Sequence, residues 1–262
     1  MNSWSIRRKR IIFAIILLVT LIFIGIPVFF IFYKVPTCFD GIKNGDELEV
    51  DCGGSCQKLC IAESLPIIIK GDTRIINVAT STYVALAYLE NPNANAGIYR
   101  AFYDINIFTA DNPSPIKKIE GSTFVPAGEE FAIYEGPFII EENTKPVRAS
   151  LSWKEPLSWE KNISKKPAIE IRSRTLSREE TSPRLQVLVE NTSLETISNI
   201  DLIVLVFDEY GNIFNASKTF IDQILGNSNA SAIFSWLMPF EKIPARYEIL
   251  IRSFPDRSFI RQ

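Results

Sequence analysis

The residues best suited to chemistry stand together between positions 38 and 60. All four cysteines, Cys38, Cys52, Cys56 and Cys60, fall in CFDGIKNGDELEVDCGGSCQKLC, with Asp40, Asn44, Asp46, Glu47 and Asp51 between them. An even set of cysteines in a segment too poor in apolar side chains for a core reads as a disulfide staple, and four cysteines allow three pairings that sequence leaves open. A zinc site with four thiolates is the competing arrangement, but the spacing C-x13-C-x3-C-x3-C lacks the close C-x-x-C pairs such sites use. The five oxygen-bearing side chains are the candidate metal ligands: calcium prefers clustered carboxylate and carbonyl oxygens on a flexible loop. The spacing is not that of an EF-hand, and a solvated acidic turn bent at Asp40-Gly41 and Asn44-Gly45 explains the same pattern.

Chemistry has little support elsewhere. Among 262 residues there is no histidine, which removes the commonest general base, every Ser/His or Cys/His couple and most catalytic zinc sites. Ser-x-x-Lys occurs at Ser55/Lys58, Ser114/Lys117 and Ser158/Lys161 without the companion elements of the penicillin-binding type. Phosphate-binding glycine loops and G-x-S-x-G are absent. Glu129-Glu130, Glu141-Glu142 and Glu179-Glu180 fall at expected turns, where adjacent residues point to opposite faces and make a poor acid/base couple. The chain is therefore expected not to be an enzyme and to carry no cofactor beyond possible calcium; a cleft in which two carboxylates distant in sequence converge would reopen the question. With 28 Lys+Arg against 30 Asp+Glu, and the one basic cluster at the N-terminus, nucleic acid is not an expected partner.

The elements that must carry this module begin with residues 11–33, IIFAIILLVTLIFIGIPVFFIFY, which hold no charge. A helix of that length spans about 34 Å, enough to cross a hydrocarbon core of about 30 Å. Arg7, Arg8, Lys9 and Arg10 precede the run and only Lys34 closely follows it. The positive-inside bias puts residues 1–10 in the cytoplasm as a basic stub and residues 34–262 outside, with the bilayer as partner of residues 11–33. A cleaved signal peptide is the rival, but its apolar region is shorter and is followed by a small-residue cleavage site.

The run Cys38, Asp40-Gly41-Ile42, Asn44-Gly45-Asp46-Glu47, Val50-Asp51-Cys52-Gly53-Gly54, Cys56 resembles the C-x-DGI-x-NGDE-x-x-VDCGG-x-C module of secreted and surface proteins of bacteria and archaea. The resemblance implies an extracytoplasmic setting and no activity. Here the end is Cys56-Gln57-Lys58-Leu59-Cys60, where C-x2-C is more usual, so the pairing stays open.

Beyond this module, at residues 34–62, short apolar or alternating segments separated by Asn, Pro and Gly turns predict an all-β fold. Strands are expected at 67–70, 74–79, 83–90, 99–109, 116–124, 129–135 and 147–153, then at 168–175, 185–190, 200–207, 213–220, 230–236 and 247–253. The two sets match in order: Glu90-Asn91 with Glu190-Asn191, Asp111-Asn112-Pro113 with the turn from Asp208 to Asn212, Pro137-Phe138 with Pro239-Phe240. They predict a duplication with a period of about 100 residues, the size of one Ig-like sandwich. Residues 63–155 and 168–254 are the two tandem Ig-like sandwiches, 156–167 a linker and 255–262 a tail. The second resembles the FxLYD-like family of extracellular domains through Val187-Leu188-Val189-Glu190-Asn191, Ile197-Ser198-Asn199-Ile200 and Phe207-Asp208, which implies a binding or spacer role. Phe102, Phe108, Phe131, Phe207, Phe214, Phe234 and Trp236 read as core or flanking aromatics, and Trp159 as packed on a domain edge or as an exposed contact. Asn162, Asn191, Asn215 and Asn229 each open an N-x-S/T triplet.

The expected protein is a single-pass membrane anchor presenting two Ig-like domains to an unidentified envelope protein or polymer, with loops or open sheet edges as adhesive surfaces. The alternative is calcium-dependent ligand or glycan recognition through the acidic module.

Overall fold

The computed structural model describes residues 3–33, 35–141, 144–161, 163 and 166–254. Lys34, Glu142, Asn162 and the tail 255–262, named above, lie outside the described residues. The chain divides into two units, Met1–Cys56 and Gln57–Gln262. Strand outweighs helix, 48% to 12%, so the all-β reading holds outside the N-terminal helix.

In the first unit helix runs over Ser3–Thr20, a π-helical turn over Leu21–Gly25, and helix again over Ile26–Phe32. Pro27 has no N–H to give the carbonyl of Phe23 and its ring crowds that carbonyl; the backbone widens in the turn just before it. The 24-residue stretch Ile6–Phe29 is long and apolar enough to cross a membrane, and none of it is buried. All four cysteines are disulfide-bonded, Cys38 to Cys56 and Cys52 to Cys60, which selects one of the three pairings.

Among the described residues the second unit holds fourteen strands: β1 (Ile68–Ile69), β2 (Arg74–Ala79), β3 (Thr82–Glu90), β4 (Ala96–Phe108), β5 (Lys117–Val125), β6 (Glu130–Ile139), β7 (Arg148–Trp153), β8 (Glu160–Lys161), β9 (Ile169–Ser177), β10 (Arg184–Asn191), β11 (Ile197–Phe207), β12 (Ile213–Ile224), β13 (Asn229–Ser235) and β14 (Arg246–Ser253). Every segment expected to be a strand is one. The addition is β8, which pairs with the start of β4; next to it Trp159 is buried in the core at 3% exposure, so it is no exposed contact residue. Phe102, by contrast, is 51% exposed and belongs to no core.

The strands form four antiparallel sheets. In the first sandwich β5-β4-β7 faces a sheet in which β3 lies between β6 on one side and β1 and β2 on the other; in the second β12-β11-β14 faces β13-β10-β9. The strand orders β2-β3-β6 and β9-β10-β13 correspond, as do β5-β4-β7 and β12-β11-β14, which is the repeat expected from the sequence. Its clearest mark is the matched asparagine after Glu90 and Glu190. Asn91 Nδ2 donates to the carbonyls of Ala96 (2.7 Å) and Pro126 (2.6 Å) while its Oδ1 accepts from the Asn93 amide (3.0 Å). Asn191 Nδ2 donates to Glu195 (2.7 Å) and Ile224 (3.0 Å) and its Oδ1 accepts from the Ser193 amide (3.0 Å). Each side chain pins a strand end to the turn that follows. Asn191 is thus buried and committed, and cannot serve as an exposed glycosylation acceptor in the folded state.

The two sandwiches are not beads on a string. In β3, Ala85, Ala87 and Leu89 point into the first sandwich, whereas Val84, Leu86 and Tyr88 point outward into a second cluster with Ile203, Leu205 and Phe207 of β11. The alternate β11 residues Ile200, Leu202, Val204 and Val206 fill the second sandwich. Residues one apart on a strand face opposite ways, so a strand apolar at consecutive positions is covered on both sides only if two layers flank it. The result is four stacked sheets with three apolar layers between them. The outermost faces carry ion pairs instead, Asp104 and Glu120 with Lys118 and Lys154 at one end, Glu170 and Glu190 with Arg172 at the other, and polar outer faces end such a stack.

Leu205 is fully buried in the middle layer. Leu205→Ala should cost about 2–5 kcal/mol, read by urea denaturation, and both sandwiches should unfold in a single transition. Two separate transitions would show that the middle layer does not couple them.

Candidate binding site at the seam between the sandwiches

The middle apolar layer is interrupted by charges at a few named positions. Asp201 of β11 stands in register opposite Arg252 of β14, both on the face turned toward the first sandwich. Arg252 Nη1 donates to Thr123 Oγ1 and to the Phe124 carbonyl, each at 3.2 Å, and Nη2 donates to the Ala132 carbonyl at 2.9 Å and to Asp201 Oδ2 at 3.4 Å. A guanidinium borne by the second sandwich therefore ties two strands of the first. Its plane also lies near the rings of Phe131 (5.6 Å) and Phe254 (4.9 Å), and Lys218 reaches Asp201 Oδ1 at 3.5 Å. Burial pulls the Arg252 guanidinium down from its ordinary pKa, and Asp201 opposes that shift.

Beside this group a cavity of about 240 Å³ is lined by Tyr103, Ser122, Glu135, Lys218 and Arg252 among others. Tyr103 donates its hydroxyl to the Glu135 carboxylate. Its ring fits because the opposite residue is Gly121, where a Cβ would stand 2.4 Å from the phenol oxygen. Desolvation raises the Glu135 carboxyl above its ordinary value, with the Tyr103 hydrogen bond and Lys218 pulling the other way.

Two carboxylates distant in sequence do converge, at the opposite margin of the seam. The Tyr88 hydroxyl contacts Glu130 of the first sandwich and donates to Glu248 Oε1 of the second at 2.7 Å. Lys70 bonds Glu130 and Arg246 bonds Glu248, so the four charges and the phenol form a ladder across the seam. Lys70 above all, with the Tyr88 hydroxyl beside it, holds the Glu130 carboxyl below its ordinary range. Burial, reinforced by both carboxylates, drives the Tyr88 phenol far above its own. With Tyr88 only 8% exposed and each carboxylate tied to a cation, the convergence forms a structural clasp.

A groove of about 560 Å³ opens along the edge where β2 lies over β12. Residues 75–78 of β2 and 214–217 of β12 form its walls, and Tyr134, Trp236, Leu237 and Met238 also line it. Both strands are terminal in their sheets. The β12 edge is plugged by side chains: Asn215 Oδ1 accepts from the Ala216 amide at 2.8 Å and the Trp236 indole donates to the Ala216 carbonyl at 3.2 Å. The β2 edge has no strand beyond it among the described residues.

The acidic residues expected from the sequence to bind metal are occupied within their own loop. Asp51 accepts the amides of Asp40 and Gly41, Asp40 accepts the Ile42 amide and the Asn44 side-chain N–H, Glu47 accepts the amides of Asn44 and Asp51, and Asp46 accepts the Ser55 amide and hydroxyl. The clusters of three potential ligands that contain Glu47 or Glu49 otherwise consist of disulfide sulfurs, which hold no thiolate to give. Asn44 Oδ1 is the one atom of the five side chains that is buried without a hydrogen-bond partner among the described residues.

None of the seam residues stood out in the sequence as a site. The signal was present: Asp201 interrupts Ile200-Asp201-Leu202-Ile203-Val204-Leu205, and Glu248 and Arg252 fall on the same period-2 face of β14, on either side of Leu250. A charge at an inward position of a buried strand requires a partner, but which strand supplies it is a tertiary fact.

No family model and no curated protein matches the chain. Among solved structures, a transglutaminase from red sea bream matches over 69% of this chain and 28% of that chain, at 10% identity and a TM-score of 0.24. The chain spans under a third of that protein's length, and a likeness at this level carries no argument about fold or activity.

Two outcomes follow from the buried charges. Arg252→Met leaves Asp201 buried with Lys218 alone and should cost about 3–5 kcal/mol, with Arg252→Met/Asp201→Leu costing less than the sum of the single changes by denaturant titration. Glu135 binds its proton more tightly folded than unfolded, so its contribution to stability is present below the ordinary carboxylate pKa and lost as pH rises through the elevated one. A melting-temperature series against pH should show that decline, and Glu135→Gln should remove it.

Proposed function

We propose that the protein is a single-pass membrane anchor with its N-terminus in the cytoplasm and residues 34–262 outside, where the paired sandwiches, of Ig-like size and layering, bind or space a protein at the cell envelope. The observation that carries this reading is an uncovered apolar helix followed at once by a disulfide-bonded module. An apolar helix without protein cover needs another apolar solvent, and disulfides persist in an oxidising compartment. Arg7, Arg8, Lys9 and Arg10, ahead of the apolar run, support that orientation. Four sheets fused through a buried layer supply a stiff body whose edges, not its core, are available to a partner, and the convergence of Glu130 and Glu248 into a clasp gives no support to a catalytic role.

Calcium recognition by the acidic module is a second reading, favoured by Asn44 Oδ1, which lacks a partner. It predicts heat on titrating calcium into the full chain and its loss in Asn44→Ala. No heat at millimolar calcium removes it.

The topology is tested by alkylating the membrane-purified chain without reductant and weighing it intact. The expected mass shows the N-terminus uncut, no alkyl groups before reduction and four after it. A chain shortened at the N-terminus makes the helix a cleaved signal, and four alkylated thiols in the native chain put the module in a reducing compartment.

A further inference from the structure

The groove between β2 and β12 has two walls of the same kind, each an edge strand, and they are finished differently. On β12 the Ala216 amide and carbonyl are both taken by side chains, Asn215 and Trp236. Such plugs keep an edge from pairing with another chain. On β2, residues 74–77 pair with β3 on one side and, among the described residues, meet no strand on the other; a bulge between Asn77 and Ala79 ends the regular stretch. We propose that β2 is the pairing edge for an extended peptide segment of a partner protein, which adds as a strand and lays alternate apolar side chains against Phe214 and Met238.

The chemistry of the groove selects this occupant. A row of main-chain donors and acceptors spaced along a strand is matched by another extended backbone, the mode of recognition known as strand addition. An acyl chain cannot supply those hydrogen bonds. A sugar would need an aromatic face with free polar groups beside it, whereas Trp236 is 5% exposed and its indole N–H is consumed. Lys145 and Glu241, one of each sign, are the charged residues of the lining, so the segment is neutral rather than acidic or basic. The groove also continues the middle apolar layer: Ile76 and Ala216, which wall it, belong to that buried cluster. A bound strand would extend an interface the protein already makes.

This inference rests on the reading of the chain as a partner-binding envelope protein and names the partner's chemistry. Hydrogen exchange read by mass spectrometry on the purified full chain in detergent tests it. The probe is the capped hexapeptide Thr-Val-Thr-Val-Thr-Val, alongside a twin N-methylated at alternate residues. At about 1 mM peptide, equal to a dissociation constant of about 1 mM, half the sites are filled and the unmethylated peptide should slow exchange in residues 74–79 about twofold, the protection a new backbone pairing confers on a frayed edge. The methylated twin should not. Equal protection by both peptides would mean apolar filling without strand addition and overturns the proposal, as does protection confined to other edges or none at all. Protection of 74–79 that grows with protein concentration in the absence of peptide replaces the peptide with a second copy of this chain. Exchange on purified protein is blind to topology, which the intact-mass measurement reads, so either reading can fail alone.

Discussion

Everything in the second unit depends on two strands that must be dry on both faces. β3 and β11 carry apolar side chains at consecutive positions, and no single sandwich buries both sides of such a strand. Stacking one sandwich on the other satisfies both strands with one interface. The stacking is head to tail in terms of the repeat, since the sheet β2-β3-β6 meets β12-β11-β14 and not its own counterpart. A contact of that kind propagates into a filament unless the exposed ends differ from the buried faces. Here they do, because both outer sheets carry ion pairs where the inner ones carry aliphatic side chains.

An apolar layer between two flat sheets specifies contact but not register. The charges within it do. Arg252 needs the Thr123 hydroxyl, the Phe124 and Ala132 carbonyls and Asp201 at once, and a shift by one residue would leave a guanidinium and a carboxylate buried without partners. Replacing a buried ion pair by aliphatic side chains is often neutral or stabilising, so the worth of this one lies in fixing how the sandwiches meet. The Tyr88 clasp does the same at the other margin, and between the two margins the seam has a single alignment.

The cysteine module solves the opposite problem, a segment with almost no core. Two disulfides close it, and its acidic residues accept backbone N–H groups that the short loop cannot otherwise pair. Carboxylates in that role are structural caps. Their density in the sequence reflects how many amides a turn-rich loop leaves to be satisfied.

Much of the architecture is written in local patterns. The uncharged run at 11–33, the clustered cysteines, the period-2 strands and the matched Glu90-Asn91 and Glu190-Asn191 landmarks each follow from interactions between near neighbours, so the sequence alone determines helix, module, strands and repeat. The consecutive apolar runs in β3 and β11 even announce burial on two faces. What covers the second face, which cysteine meets which, and that Arg252 reaches Thr123 and Ala132 depend on residues more than a hundred positions apart or on one of several permitted closures. Trp159 shows the same limit at small scale, since its burial comes from β8 pairing with β4, a contact no window around the tryptophan contains. Local patterns fix which face of a strand is apolar; only the folded chain decides which other apolar face is there to meet it, because hydrophobic burial rewards area without naming a partner.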